Sequence, residues 1–362
     1  MKKFGIGIIG CGNISDIYIK NLGSYSRTEV VAVSDLDLAR AQAKASQYSV
    51  AKALSTEELL ALPEVDCVVN LTIPAVHGSI ATQALNAGKH VYNEKPLAIE
   101  RDEARAMLDL AKSKGLRVGC APDTFLGAGI QTCQEIIKNG EIGEIVGAQA
   151  YMMGRGPEPW HPDPDFFYQR GGGPLFDMGP YYLTALSVLV GPIRRVAGAA
   201  RATFPTRTVG SGEKKGQVIQ VNTPTHLAAV LNFENGAIGS ITTSFDISSH
   251  KMPPITLHGT TGSMLVGDPN SFGDRVYYRK DGDQDWRWVP LQKEYAGNSR
   301  GLGVLDMLLA TEENRPHRAS GDLAFHVLDV MHAVMESSEQ SRYLSIESDF
   351  ARPEPLPAGF GK

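Results

Sequence analysis

The 362 residues predict an α/β Rossmann domain with a doubly wound, mostly parallel sheet, followed by an α+β domain on a mainly antiparallel sheet. Three observations carry this prediction. An apolar strand, Phe4 to Ile9, runs into the turn Gly10-Cys11-Gly12 and then into a helix. Strand and helix patterns alternate from there to about residue 121, as expected of parallel strands joined by helical crossovers. After Gly140-Glu-Ile-Gly143, strands follow one another, with hairpin turns at Asn235-Gly236 and Asp281-Gly282. The expected boundaries are 1–123 for a dinucleotide-binding domain and 124–362 for a substrate domain.

The first stretch is a dinucleotide cradle. Gly10 permits a tight turn, Gly12 carries no Cβ to hold a pyrophosphate away, and Ser15 is small enough for the helix to pack on the strand. Asn13 and Ile14 open the helix, whose N-terminus suits phosphate. The second strand, Glu29 to Asp35, ends in a carboxylate 35 − 12 = 23 residues past Gly12, placed for the ribose hydroxyls. Asp35 can alternatively cap the helix that follows. A 2′-phosphate beside Asp35 is repelled, and Leu36 offers no guanidinium, so the expected cofactor is NAD rather than NADP.

Next come a strand at Cys67 to Thr72, a helix ending before Gly88, a strand His90 to Glu94, a helix Glu100 to Lys114 and a strand Leu116 to Ala121. Ligands of such sheets lie beyond the carboxyl ends of the strands, where Thr72, Pro74, His77, Glu94 and Lys95 fall. An ammonium at Lys95 either binds a substrate hydroxyl and lowers its pKa there or is a surface lysine, and Lys95-Pro96 is a candidate cis peptide. Asp123 either meets a substrate hydroxyl or caps the next helix, read as Phe125 to Asn139.

Composition excludes other classes. Net charge is 35 − 40 = −5 with no basic run longer than a pair, which argues against nucleic acid as partner. No apolar run approaches the ~18 residues of a membrane span. The chain begins with its first strand, and a cytoplasmic protein is expected. Cys11, Cys67, Cys120 and Cys133 lack metal or redox spacing and read as buried free thiols; no metal site is expected.

In the second domain, Gly171-Gly172-Gly173-Pro174 precedes a helix to about Val190, with further helices at Leu302 to Asn314 and Asp322 to Ser337. Asp177 and Tyr181, at i and i+4, share one helical face. Ahead of the glycines lies the proline-rich segment 158–168. In it, Trp160 can cover the apolar face of a pyranose, and His161 is either a rival base or a substrate contact, with loop packing the alternative for both. The tail Arg352-Pro-Glu-Pro-Leu-Pro357 reads as a strap over a neighbouring subunit or as a disordered end.

Taken together, Gly-Ile-Ile-Gly10-Cys-Gly12-Asn-Ile, Glu94-Lys95-Pro96 and Gly171-Gly-Gly-x-x-x-Asp177-x-Gly179 resemble the Gfo/Idh/MocA family of oxidoreductases over nearly the whole length. The resemblance implies an open-faced antiparallel sheet in the second domain and assembly into dimers or tetramers through it. It also implies pyridine-nucleotide oxidation or reduction of a hydroxyl on a sugar, cyclitol or related polyol. Lys95 is by resemblance the catalytic lysine, and Asp177 belongs to the acid/base group. Many members carry histidine where this chain has Tyr181; glucose-fructose oxidoreductase and dimeric dihydrodiol dehydrogenase are similar to it in using tyrosine. Thr184 replaces an acid of many cyclitol enzymes, which weakens the case for inositol.

The expected reaction is NAD-dependent oxidation of a ring hydroxyl of a sugar or glycoside. Tyr181 acts as acid/base, Lys95 as its electrostatic partner over the same nicotinamide, and Asp177 as the residue that holds them. Two alternatives stand beside it: an NAD-using glycoside hydrolase acting by transient oxidation and elimination, and a non-catalytic sugar-responsive regulator.

Overall fold

A computed structural model describes residues 3–291 and 294–361, which divide into two compact units. The first comprises 1–127, 293–328 and 353–362, and the second 128–292 and 329–352.

The first unit alternates β1 (Phe4–Ile9), α1 (Ser15–Ser24), β2 (Thr28–Ser34), α2 (Leu38–Tyr48), β3 (Lys52–Leu54), α3 (Thr56–Ala61), β4 (Cys67–Asn70), α4 (His77–Asn86), β5 (His90–Asn93), α5 (Arg101–Ser113) and β6 (Val118–Cys120). The strands form one sheet in the order β3-β2-β1-β4-β5-β6, every neighbouring pair parallel. Ile6, Ile8, Val33, Val68, Val69 and Val91 are buried completely. A sheet covered on both faces needs such continuous apolar strands. Strand order reverses between β1 and β4, the switch point at which open α/β sheets bind ligands. β3 and α3 are too short to show a period in the sequence. The local signal for α3 is its capping box, in which the Glu58 amide donates to Ser55 Oγ at 3.2 Å and the Ser55 amide to Glu58 Oε2 at 2.9 Å.

The second unit contains α6 (Ala128–Lys138), β7 (Ile145–Met153), α7 (Gly173–Leu189), β8 (Ile193–Arg201), β9 (Thr206–Thr208), β10 (Val218–Gln220), β11 (His226–Phe233), β12 (Ile238–Ser244), β13 (Ile255–Gly259), β14 (Gly262–Val266), β15 (Val276–Lys280) and β16 (Arg287–Val289). The remaining elements are α8 (Leu302–Glu312) in the first unit, α9 (Gly321–Gln340), along which the division falls, and β17 (Leu344–Ser345) in the second. The large sheet runs β16-β15-β14-β13-β7-β12-β11-β8-β17 and is antiparallel except for the pair β7 and β12. Both signalled turns form, joining β11 to β12 and β15 to β16. On β11 burial alternates strictly: Leu227, Ala229, Leu231 and Phe233 face the core while Ala228 and Val230 are exposed. One face is therefore covered, with α7 against β7 and β12, and the other is open.

The expectation that everything after 123 belongs to the second domain differs from the observed division. The apolar α8 buries Leu302, Val304, Leu305 and Leu308 and packs against β6, and the Cys120 amide donates to the Ala319 carbonyl at 3.1 Å. The helix expected over Phe125 to Asn139 is a single 3₁₀ turn, Thr124–Leu126, followed after an extended Gly127 by α6. The tail is not a loose end. Arg352 donates to the last carbonyls of α7, Val188 and Leu189, at 2.6 Å each, and Arg318 donates to the Glu354 carbonyl at 2.8 Å. All four cysteines are buried free thiols. Among the described residues no helix is long and apolar enough to cross a membrane.

Candidate active site

The turn after β1 has the properties of a phosphate cradle. Gly10 adopts φ +101°, and a Cβ there would lie 2.6 Å from the Leu71 carbonyl. A Cβ on Gly12, by contrast, would meet nothing within 4 Å, so this backbone faces open space. Ser15 is fully buried and donates back to the Gly12 carbonyl at 2.6 Å, and α1 starts without a side-chain cap. An uncapped helix start beside unobstructed backbone suits a pyrophosphate.

Asp35 follows β2 and does not cap α2. That task falls to Asp37, whose Oδ1 accepts from the Ala39 and Arg40 amides. Asp35 Oδ2 accepts from the Cys11 amide at 2.8 Å, and Oδ1 from the Asp37 amide at 2.9 Å and from Arg40 Nη1 at 3.4 Å. The carboxylate thus fixes the glycine turn and keeps lone pairs for ribose hydroxyls. Burial, reinforced by Asp35, pushes the Cys11 thiol up to about 11, so this cysteine is a packing residue and not a nucleophile. Leu36 and Ile73 are both exposed, one after β2 and one after β4. They are apolar surfaces at the cradle's edge of the sheet that no sequence period marks.

At the end of β4, Asn70 is completely buried. Its amide nitrogen reaches Asn93 Oδ1 at 3.0 Å and the His77 carbonyl at 3.1 Å, and its oxygen accepts from Thr72 Oγ1 at 2.6 Å. Thr72 and Pro74 remain partly exposed at the strand end. His77, expected at the cofactor, is corrected here: it is fully buried, with Nδ1 2.6 Å from the Pro96 carbonyl and Nε2 3.0 Å from that of Thr72. Burial pushes its pKa down against those two carbonyls. His77 therefore ties the β4 loop to the Lys95-Pro96 turn and leaves no ring nitrogen for a ligand. Glu94 is likewise buried, with Oε1 accepting from Tyr18 at 2.8 Å and Oε2 from the Lys95 amide at 2.8 Å. Its carboxylate anchors the turn, each oxygen accepting one bond and keeping a lone pair. Lys95 itself is partly exposed, and the peptide to Pro96 is cis.

Asp123, expected to contact substrate or cap the next helix, does neither. Its Oδ2 accepts from the Gly301 and Gly303 amides at 2.9 Å each, securing the start of α8 about 180 positions away. Oδ1 is buried without a hydrogen bond, and burial pushes the carboxyl up to about 6 despite those amides.

In the second unit α7 is buried on almost every side. Asp177 and Met178 are the exceptions; Tyr181, one turn on from Asp177, is buried to all but a small edge. The preceding glycines serve the chain itself. A Cβ on Gly172 would lie 2.6 Å from the Phe166 carbonyl, and one on Gly173, at φ +77°, 2.7 Å from the Pro224 carbonyl.

Segment 154–170 is held by a buried ionic cluster. Arg207 donates to Glu158 Oε1 at 3.0 Å, to the Phe245 carbonyl at 3.1 Å and to Asp246. Breaking such a cluster costs about 3–5 kcal/mol, so the segment is firmly placed. On it Trp160 is 67 % exposed, with its ring centroid 5.5 Å from that of His161. His161 Nδ1 accepts from the Asp163 amide at 3.1 Å, so in the neutral ring Nε2 carries the proton. In this arrangement His161 offers Nε2–H as a hydrogen-bond donor.

Comparison with known proteins identifies the family and the fold. Residues 4–121 match the model of the oxidoreductase family Gfo/Idh/MocA with an NAD-binding Rossmann fold, and residues 130–265 match the GFO/IDH/MocA C-terminal domain. Among curated relatives, D-glucoside 3-dehydrogenase of Escherichia coli strain K12 is 26% identical over 345 residues, covering 92% of this chain and 95% of that one. Trans-1,2-dihydrobenzene-1,2-diol dehydrogenase of Bos taurus is 28% identical over 266 residues, 73% of this chain and 74% of that one. Levoglucosan dehydrogenase, solved in complex with NADH and levoglucosan, shares the fold at TM-score 0.82 and 20% identity, covering 96% of this chain and 100% of that one.

Proposed function

The chain belongs to the Gfo/Idh/MocA family of NAD-binding oxidoreductases, and from that premise we propose that it oxidises a ring hydroxyl of a sugar, glycoside or related polyol. The carrying observation is Asp177, partly exposed on a helix otherwise almost wholly buried, one turn before Tyr181. The glucoside and dihydrodiol enzymes among the relatives support a substrate whose reacting group is a secondary alcohol on a ring.

Gly10, Gly12, Asn13 and Ile14 hold the pyrophosphate, Asp35 the ribose, and Thr72 and Pro74 line the adjoining edge. Bound NAD supplies the acceptor for the hydride that leaves the carbinol carbon. Lys95 orients the substrate hydroxyl and lowers its pKa by its positive charge. Tyr181 takes the hydroxyl proton, as a phenolate or as a neutral relay, and Asp177 orients it. Half ionisation of a phenol at pH 7 needs ~3 pKa units, or ~4 kcal/mol, so a relay is the less demanding route. His161 Nε2–H donates to a substrate oxygen, and Trp160 covers an apolar sugar face. The exposed apolar positions Val146, Val230, Ile238 and Trp288 on the open sheet support a homo-oligomer assembled through that face.

The test is NADH formation, followed by absorbance, across a panel of sugars, methyl glycosides and polyols. Turnover with the glycosidic link intact, and a kcat reduced about 100-fold or more in both Lys95→Ala and Tyr181→Phe, is the expected result. Aglycone release without net NADH would instead identify a glycoside hydrolase, and no turnover on any member would leave a regulator.

A further inference from the structure

The second unit contains a cavity apart from the residues assigned to catalysis. It encloses about 270 Å³ and is lined by Asp163, Asp165, Phe166, Val209, Lys214, Gln217 and Ile219. That is near the lower limit of small-ligand pockets, room for one compact ring. Its base is apolar, since Val209 and Ile219 are buried in a cluster with Phe167, Tyr168 and Phe245. Phe166 is 52 % exposed, unusual for a phenylalanine whose neighbour Phe167 is buried. Around these lie two carboxylates, one ammonium and one carboxamide. Asp163 and Lys214 pair at 2.6 Å on the surface, and Asp165 accepts from Gln169 at 3.3 Å.

An exposed aromatic face bordered by planar hydrogen-bonding groups is the chemistry that recognises a sugar ring. The C–H face of a pyranose lies on the aromatic, and its hydroxyls donate to carboxylates and accept from an ammonium or amide. Two carboxylates against one ammonium repel phosphate and uronate, so the ring is a neutral one. The cavity is also a fixed one. The hairpin β9–β10 and the segment 158–168 on its two sides are joined by the Gly210 amide to the Glu158 carbonyl at 2.9 Å, the Asn222 amide to the Tyr168 carbonyl at 2.8 Å, and the buried Arg207 cluster. Aromatic rings adjoin it: His161 lies 5.5 Å from Trp160 and 5.5 Å from Phe166, centroid to centroid.

We propose that this cavity is an outer sugar subsite, which takes the second, neutral hexose of a disaccharide or glycoside whose reacting ring lies at Trp160 and His161. The proposal rests on the reading of Trp160 and His161 as substrate contacts, and it makes the preferred substrate an oligosaccharide or glycoside. Phe166 supplies the stacking face, and Gln217 and Asp163 read hydroxyls.

Two measurements on the full-length protein test it, with cellobiose and maltose set against methyl glucosides. The first is kcat and KM for wild type, Phe166→Ala and Gln217→Ala; the second is calorimetric titration of the same sugars. The wild type is expected to favour at least one disaccharide over the methyl glucosides by about tenfold in KM, an ordinary gain for one well-placed ring. Phe166→Ala should abolish that preference, with kcat and the methyl-glucoside KM unchanged, and Gln217→Ala should reduce it. No disaccharide preference in the wild type, or an equal loss on both sugar classes in Phe166→Ala, overturns the subsite while leaving the dehydrogenase intact. Disaccharide binding by calorimetry that depends on Phe166, in a protein with no turnover, overturns the dehydrogenase and upholds the subsite.

Discussion

Two glycine-rich segments of this chain look alike in sequence and are used in opposite ways. At Gly10-Cys11-Gly12 the second glycine borders open space, so the missing side chain leaves room for something that is not protein. At Gly172 and Gly173 of the second segment, Gly171-Gly172-Gly173, the space is taken by the chain's own carbonyls, at Phe166, Phe167 and Pro224. The first segment is shaped for a ligand; the second seats α7, with Asp177 and Tyr181, against the segment that bears Trp160 and His161. A third pair, Gly301 and Gly303, resembles the second, with its amides turned onto the buried Asp123. Glycine density therefore identifies close approach, and only the surroundings decide what approaches.

The largest effect expected from this contrast is at Gly173. Alanine there combines a left-handed backbone with a carbonyl at 2.7 Å, and should lower the unfolding free energy by about 4 kcal/mol in urea titrations. A variant as stable as wild type would mean that the 224 loop yields freely and that the second segment is not a packing device.

The next effect is one of pH and concerns Asp123. Its carboxyl is held up to about 6, above the ~3.9 of an unfolded chain. Between those values the folded chain binds a proton that the unfolded chain has released, so this group's contribution to stability is present below pH ~4 and is lost as pH rises through ~6. The loss is at most ~3 kcal/mol for about two pKa units. Asp123→Asn keeps an oxygen for the Gly301 and Gly303 amides and abolishes the titration. The stability difference between the two proteins should change across that window, and a pH-independent difference would contradict the raised carboxyl.

The smallest effect, and the sharpest, is at Gly12. With nothing within 4 Å of a new Cβ, Gly12→Ala should leave stability within about 0.5 kcal/mol of wild type while weakening NAD about 30-fold in fluorescence titration. A melting point that falls with affinity unchanged would reverse the comparison between the two segments.

Much of the fold was legible because its signals are local. The alternation of strands and helices, the cradle, the acid after β2, the hairpins at Asn235-Gly236 and Asp281-Gly282, and the long helix carrying Asp177 and Tyr181 each arise from a period or a turn preference within a few residues. The misassignments share another origin. His77 and Asp123 are polar residues at strand ends, where ligands bind, and residue type there does not distinguish a group that faces the ligand from one that braces the loop behind it. Asp37 took the cap that Asp35 might have made, a competition between two carboxylates two residues apart.

By itself the sequence determined what covalent geometry and periodicity dictate: where strands end, where a backbone turns left-handed, and which side chains share a helical face. Only the tertiary structure decided which polar atoms are consumed internally. His77 closes on Pro96, Glu94 on Tyr18, and Asp123 on amides about 180 residues distant. It also returned residues 293–328 and 353–362 to the first unit and opened a cavity beside Phe166. The physical reason is that a buried polar group must find a partner wherever the fold presents one, and the identity of that partner is a non-local fact.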